Sequence, residues 1–198
     1  MARTMTIKLL ALGLLVALVA LPGCGGRGER AGEEGGAEEG TAQVEASSDV
    51  GVTEGKRPPS FKLPDLDGNE VALTDYVGKV VVLDLWATWC PPCRQEIPFL
   101  IELYEEHKDE GLVVVGVGLD DGGAGVLRPF VEQNGITYPI LVGNRDVGQR
   151  YKLQGIPTTF ILDRDGRIAA KHLGFRPTDA EVMREEVARL LGTAGEEA

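Results

Sequence analysis

Hydrophobic and polar positions divide the 198-residue chain into three stretches of different character. Arg3 and Lys8 precede an apolar run from Leu9 to Leu21, which ends in Pro22-Gly23-Cys24. Charge, apolar run and small residues in that order predict an export signal over residues 1–23. The run is shorter than the ~20 apolar residues a spanning helix needs. From Gly25 to about Lys56 the chain is rich in Gly, Ala, Ser and Glu and has no aromatic residue. Such a composition buries too little apolar area to order itself, so residues 24–56 read as a flexible linker with a reach of about 30 Å.

After Pro58-Pro59 the periodicities of a folded domain set in, and residues 57–198 are assigned to it. Phe61 to Leu63 and Val71 to Leu73 flank Asp67-Gly68-Asn69 and predict a short hairpin. Val80 to Trp86 is apolar except for Asp84, as in a strand covered on both faces. From about Cys90 to His107, Ile97, Leu100, Ile101 and Tyr104 recur at helical spacing. Leu112 to Gly118 predicts a second buried strand, and Val126 to Asn134 a helix stopped by Gly135. Ile140 to Val142 and Val147 to Tyr151 repeat strand and helix. Thr158 to Leu162 and Ile168 to Leu173 form a hairpin around Asp163-Arg164-Asp165-Gly166. A final helix from Thr178 to Leu191 is expected to start on a capping box of Thr178 and Glu181. Strands alternating with helices imply an α/β fold, a mixed sheet covered on both faces.

Charge narrows the function. The chain carries a net −11, and loss of residues 1–23 removes Arg3 and Lys8 and makes it more acidic still. Nucleic-acid binding needs Lys and Arg against phosphates and is excluded as the main role. An acidic surface also disfavours lying on anionic lipid. A tether would instead come from Leu21-Pro22-Gly23-Cys24, which is similar to a bacterial lipobox whose cysteine is lipidated, although Pro22 departs from the usual residue there.

Of three cysteines, a lipidated Cys24 leaves only Cys90 and Cys93 in the domain. Two cysteines do not staple a scaffold, so the pair is there for chemistry. In Trp86-Ala87-Thr88-Trp89-Cys90-Pro91-Pro92-Cys93 a buried strand runs into the first turn of a helix. Cys90 then meets free backbone N–H groups and the positive end of the helix dipole, which favour a thiolate. Pro91 and Pro92 suit a first turn that does not need their missing N–H groups. Cys93 lies one turn on, on the same face, within reach of a disulfide. Cys90 is expected to be the exposed nucleophile and Cys93 the partly buried resolving thiol. No second Cys pair or nearby His completes a zinc site, and Arg94 stands where haem attachment needs His.

These motifs, with Phe61-Lys62-Leu63-Pro64-Asp65, Gly78-Lys79-Val80 and Gly155-Ile156-Pro157-Thr158-Thr159-Phe160, resemble the TlpA/ResA-like branch of the thioredoxin superfamily from about Pro58 to the end. The resemblance implies a thioredoxin-like sheet with helices on both faces, an N-terminal hairpin extension and a central strand-helix insertion. It implies that Pro157 follows a cis bond and that the Ile156 backbone pairs with an incoming substrate. Asp84 matches the buried acid that takes the resolving thiol's proton in thioredoxin, and Glu96 matches the active-site glutamate of ResA-like proteins. Trp89 is expected to touch substrate, together with Pro91 and Pro92, and Trp86 to pack in the core. His107 and His172 read as surface residues. The resemblance further implies disulfide-bearing protein substrates, apocytochrome c among them, a membrane electron donor, and no cofactor or metal beyond the Cys90–Cys93 disulfide.

Two other readings share the scaffold. A copper-delivery module would use both thiols and a distant histidine, of which only His172 is late enough, and such carriers space the cysteines one residue wider. A peroxidase needs Pro-x-x-x-Thr-x-x-Cys, and here Thr88 stands two residues before Cys90 rather than three.

Overall fold

A computed structural model describes residues 49–192; the expected signal, Cys24 and most of the expected linker lie outside them. A two-stranded antiparallel ribbon, β1 (Lys62–Pro64) and β2 (Glu70–Ala72), precedes a five-stranded sheet. The sheet strands are β3 (Val80–Trp86), β4 (Leu112–Gly118), β5 (Ile140–Val142), β6 (Thr158–Leu162) and β7 (Ile168–Leu173), ordered β5-β4-β3-β6-β7. β3, β4 and β5 run parallel, while β6 is antiparallel to β3 and β7 to β6.

All seven residues of β3 are buried, because layers cover both sides of the sheet. Val80, Val82 and Trp86 point to one side, into a core shared with α1 (Pro91–His107), α2 (Ala124–Asn134) and α4 (Asp179–Leu191). Val81, Leu83 and Leu85 point to the other, against Phe61 just before the N-terminal ribbon, Leu63 within it and Val147 of α3 (Arg145–Arg150). The alternation is the pleat itself: successive side chains leave a strand on opposite faces. The continuous apolar run thus stands for a strand wanted on both sides. α2 and β5 are the expected insertion between β4 and β6. α2 crosses close over β4, where a Cβ on Gly118 would sit 2.4 Å from Leu127 Cδ2. It ends at Gly135 with φ 63°, a left-handed conformation that glycine takes without steric cost.

Two expectations change. Composition places residues 49–56 in the linker, yet they are tied to the domain. Gly55 N donates to Ile168 O, Ile168 N donates to Lys56 O, and Arg167 Nη1 meets Asp49 Oδ1 at 2.7 Å. Backbone pairing needs no apolar side chain, so composition misplaces this boundary. The capping box at Thr178 also does not form: Thr178 already has helical angles and its side chain caps no backbone N–H. Asp179 instead turns back and accepts from Arg176 N at 2.9 Å.

Candidate active site

The thiols sit where β3 gives way to α1, and three contacts fix the turn between them. Thr88 donates through its N–H and its hydroxyl to the buried Asp120 carboxylate, at 3.0 and 2.6 Å. Arg94 Nε donates to Thr88 O at 2.6 Å, with its guanidinium 5.3 Å from the Phe130 ring centroid. Cys90 N donates to Ala87 O. In the sequence Asp120 shows only as an acid just past the end of a buried strand, and Arg94 only as the residue that stands where haem attachment needs His.

Cys90 is the N-cap of α1, Pro91 and Pro92 form its first turn, and the Cys93 N–H points at Cys90 Sγ, 3.3 Å away. The two cysteines are joined as a disulfide, with Cα atoms 5.3 Å apart. An N–H aimed at the sulfur and the helix terminus behind it would stabilise a Cys90 thiolate once the bond is reduced. Cys90 was expected to be exposed, but it is only 2% exposed, against 1% for Cys93. The reason is the chain that packs over it: Ile156 O lies 3.6 Å from Cys90 Sγ. The two sulfurs therefore differ in their surroundings rather than in exposure. Cys90 faces the helix start and the 155–157 loop, whereas Cys93 is on the buried side of α1 with Glu96, Ile97 and Leu100.

The Ile156–Pro157 peptide is cis, as expected. Its loop is held by Thr158 Oγ1 donating to Gly155 O and by Gly174 N donating to Pro157 O, at 2.7 and 2.8 Å. Around it the surface is apolar. Trp89 is 67% exposed, Pro91 is exposed, Pro92 and Ile156 are half-buried, and Leu173, paired with Thr158 across the hairpin, is 56% exposed. Leu173 was legible in sequence only as the end of a strand. Trp86 is fully buried, as expected.

Both acids lie inside. Asp84 is on the face of β3 that carries Val82 and Trp86, beneath α1, in register with Gly116 of β4 and Thr159 of β6. Neither of its oxygens has a protein partner. Burial pushes its carboxyl well above the usual range, and neighbouring Glu96 pushes it further. Glu96 is itself 1% exposed and accepts from Thr159 Oγ1 at 2.8 Å. Its pKa is pushed up to about 7 by burial, with the Thr159 hydrogen bond pulling it down and Asp179 pushing it up. A carboxyl that is neutral below neutral pH and charged above it can accept and return a proton under ordinary conditions.

The histidines are engaged elsewhere: His107 Nδ1 pairs with Glu110 and His172 Nε2 with Glu186. Among the described residues no three His, Cys, Asp or Glu side chains converge as a metal site. What the arrangement can do is make and break a disulfide next to an apolar surface, with buried groups able to hold the displaced proton.

A profile of the AhpC/TSA family matches residues 55–171. The thioredoxin-like protein YneN of Bacillus subtilis is 38% identical over 134 residues, covering 67% of this chain and 78% of that protein. The thiol-disulfide oxidoreductase ResA of Bacillus thuringiensis is 35% identical over 122 residues, 61% of this chain and 69% of that protein. Among solved structures, a protein assigned as thiol:disulfide interchange protein DsbE of Chlorobium tepidum superposes with a TM-score of 0.67 at 34% identity, over 72% of this chain and all of that one. A thiol:disulfide interchange protein from a Bacteroides species gives 0.64 at 29% identity, over 73% and 94%. Sequence relatives and structural neighbours agree with the chemistry the paired thiols permit, and the chain belongs to the AhpC/TSA family of thioredoxin-like proteins as a thiol-disulfide oxidoreductase of the ResA/DsbE type.

Proposed function

We propose that the protein works outside the cytoplasm, held to a membrane by a lipidated Cys24, and reduces disulfides of protein substrates, apocytochrome c among them, with electrons from a membrane donor. The observation that carries the reading is the Cys90–Cys93 pair at the start of α1, with the cis-Pro157 loop on its outer side and two buried acids under the same helix. The export signal and lipobox in the sequence support the location.

In the reduced protein the Cys90 thiolate attacks one sulfur of the substrate disulfide. The substrate's S–S bond breaks, its first sulfur leaves as thiolate, and a Cys90–substrate disulfide forms. The substrate chain lies along Ile156, with Trp89 and the proline pair against its flanks. Cys93 then gives its proton to Asp84 or Glu96, attacks Cys90 Sγ and expels the second substrate sulfur. Two electrons have passed to the substrate, and the Cys90–Cys93 disulfide is what remains for the donor to reduce. The reaction needs no other cofactor.

In a lipoprotein-processing host the protein is expected in the membrane fraction, and Cys24→Ala in the soluble fraction or as uncleaved precursor. The released, pre-reduced domain should reduce the disulfide of apocytochrome c one for one. Membrane retention of a cleaved Cys24→Ala protein would overturn the tether, and an untouched apocytochrome disulfide would remove that substrate.

A further inference from the structure

Five buried side-chain polar atoms among the described residues have no protein hydrogen-bond partner: both oxygens of Asp84, Glu96 Oε2, Trp86 Nε1 and the Tyr138 hydroxyl. A buried polar group left unpaired costs free energy, so orphans are expected to be few and scattered. Here they gather in one place. Asp84 and Trp86 are two residues apart on one face of β3, and Asp84 is in register with Gly116. A Cβ on Gly116 would sit 2.7 Å from Ile140 Cδ1, 2.9 Å from Trp86 Nε1 and 3.2 Å from the Tyr138 ring, so Trp86 and Tyr138 close together over this glycine of β4. The charges of Asp84 and Glu96 both act on the Tyr138 hydroxyl, which lies just ahead of β5 and is pushed well above its usual range, chiefly by burial.

The orphans are also complementary. Three are carboxyl oxygens, which accept; the indole N–H and the phenol O–H donate. Groups of this kind at more than direct hydrogen-bond distance are commonly joined by a buried water, which makes about three bonds to such atoms. We propose that Tyr138 and Trp86 are positioning residues that donate, through a buried water held among the four side chains, to Asp84 and Glu96, and so hold these carboxyls ready to take the Cys93 proton. This deepens the proposed mechanism and rests on its assignment of the two acids as proton acceptors. Neither Trp86 nor Tyr138 touches the reacting sulfurs in this scheme.

The other charged groups facing the cluster are few. α1 brings Cys93 and Glu96, and Asp179 at the start of α4 acts on Glu96. β7 brings His172, in register with Thr159 and paired with Glu186. Gly116 brings nothing from β4. Among the described residues no Lys or Arg acts on the two acids, so the neutral donors are what favour their charged forms. A hydrogen bond to the charged form of an acid lowers its pKa. Removing a donor should raise the pH at which the acids can receive a proton.

The test is stopped-flow reaction of the reduced protein with excess Ellman's reagent from about pH 5 to 9. One thionitrobenzoate leaves when Cys90 attacks and a second when Cys93 resolves the mixed disulfide. The second release should rise with pH, and Tyr138→Phe should move its midpoint up by about one pH unit, the size expected for one hydrogen bond to a charged group. A ring-fluorinated tyrosine at 138, a stronger donor, should move it down, which loosened packing would not do. Asp84→Asn and Glu96→Gln should alter the same profile. An unmoved midpoint in both Tyr138 variants, with the acid variants altered, overturns the role of Tyr138 and leaves the acids in place. Upward shifts in both Tyr138 variants mark packing alone and overturn it too. If the acid variants also titrate like the parent, the acids are not the acceptors, and the proposal falls with them.

Discussion

Cys93→Ser should accumulate disulfide-linked complexes with its substrates on non-reducing gels, and Cys90→Ser far fewer. The asymmetry follows from what surrounds each sulfur. Cys90 sits at the helix N-cap with the Cys93 N–H directed at it, beside the loop along which a substrate chain would lie. Cys93 is on the inner side of α1. A serine at 93 leaves the attacking thiol intact and removes the protein's own group for resolving the mixed disulfide. A serine at 90 leaves a sulfur that no substrate reaches, so trapping should drop by at least about tenfold. Both sulfurs are covered in the oxidised protein, so attack by Cys90 also requires the 155–157 loop and Trp89 to admit the substrate. Equal trapping by the two variants, or more by Cys90→Ser, would reverse the assignment.

Replacing either buried acid by its amide should make the folded protein more stable at alkaline pH, while slowing its chemistry. Unfolded, Asp84 and Glu96 would ionise near pH 4. Folded, both are held neutral to higher pH, Glu96 to about 7. Over that interval the folded chain binds more protons than the unfolded one, so stability falls as pH rises and levels off above the folded value. For Glu96, a rise from 4.5 to about 7 corresponds to about 3 kcal/mol lost between pH 4.5 and pH 8. Glu96→Gln keeps an acceptor for Thr159 and carries no charge to bury, so urea denaturation at pH 8 should show a gain of about 2–3 kcal/mol that vanishes near pH 4. Asp84→Asn should have the same sign. A parent protein at least as stable as both variants at pH 8 would mean that the acids are better solvated than their burial indicates. Sites that give up stability in this way are those where a charge is wanted for function.

The strands were legible because each satisfies one local rule. A covered strand needs an unbroken apolar run, and a hairpin needs turn residues between two such runs, so β3, β4, β6 and β7 could be placed from composition and spacing. Asp84 stood out for the same reason, as a charge where the pattern allows none. Glu96 did not, because an acid on a helix looks the same whether it meets water or Thr159 from 63 residues further along. Asp120, Tyr138 and Leu173 were invisible for a related reason. Their roles depend on which strands lie side by side and in what register, and no local pattern records that. The burial of Cys90 was missed because the covering carbonyl comes from Ile156, across the sheet. The start of the domain was misplaced because residues 49–56 are held by backbone pairing and by Asp49 against Arg167 rather than by apolar burial.

Whether Cys90 and Cys93 form a dithiol that gives electrons to protein disulfides is decided by the reduction potential of the pair, measured by equilibration with dithiothreitol or glutathione buffers. A single two-electron couple is expected, lost in either Cys→Ser variant and lying nearer to about −270 mV, as in thioredoxin, than to about −120 mV, as in DsbA. A value near −120 mV would make the protein an oxidant of thiols and contradict the claim.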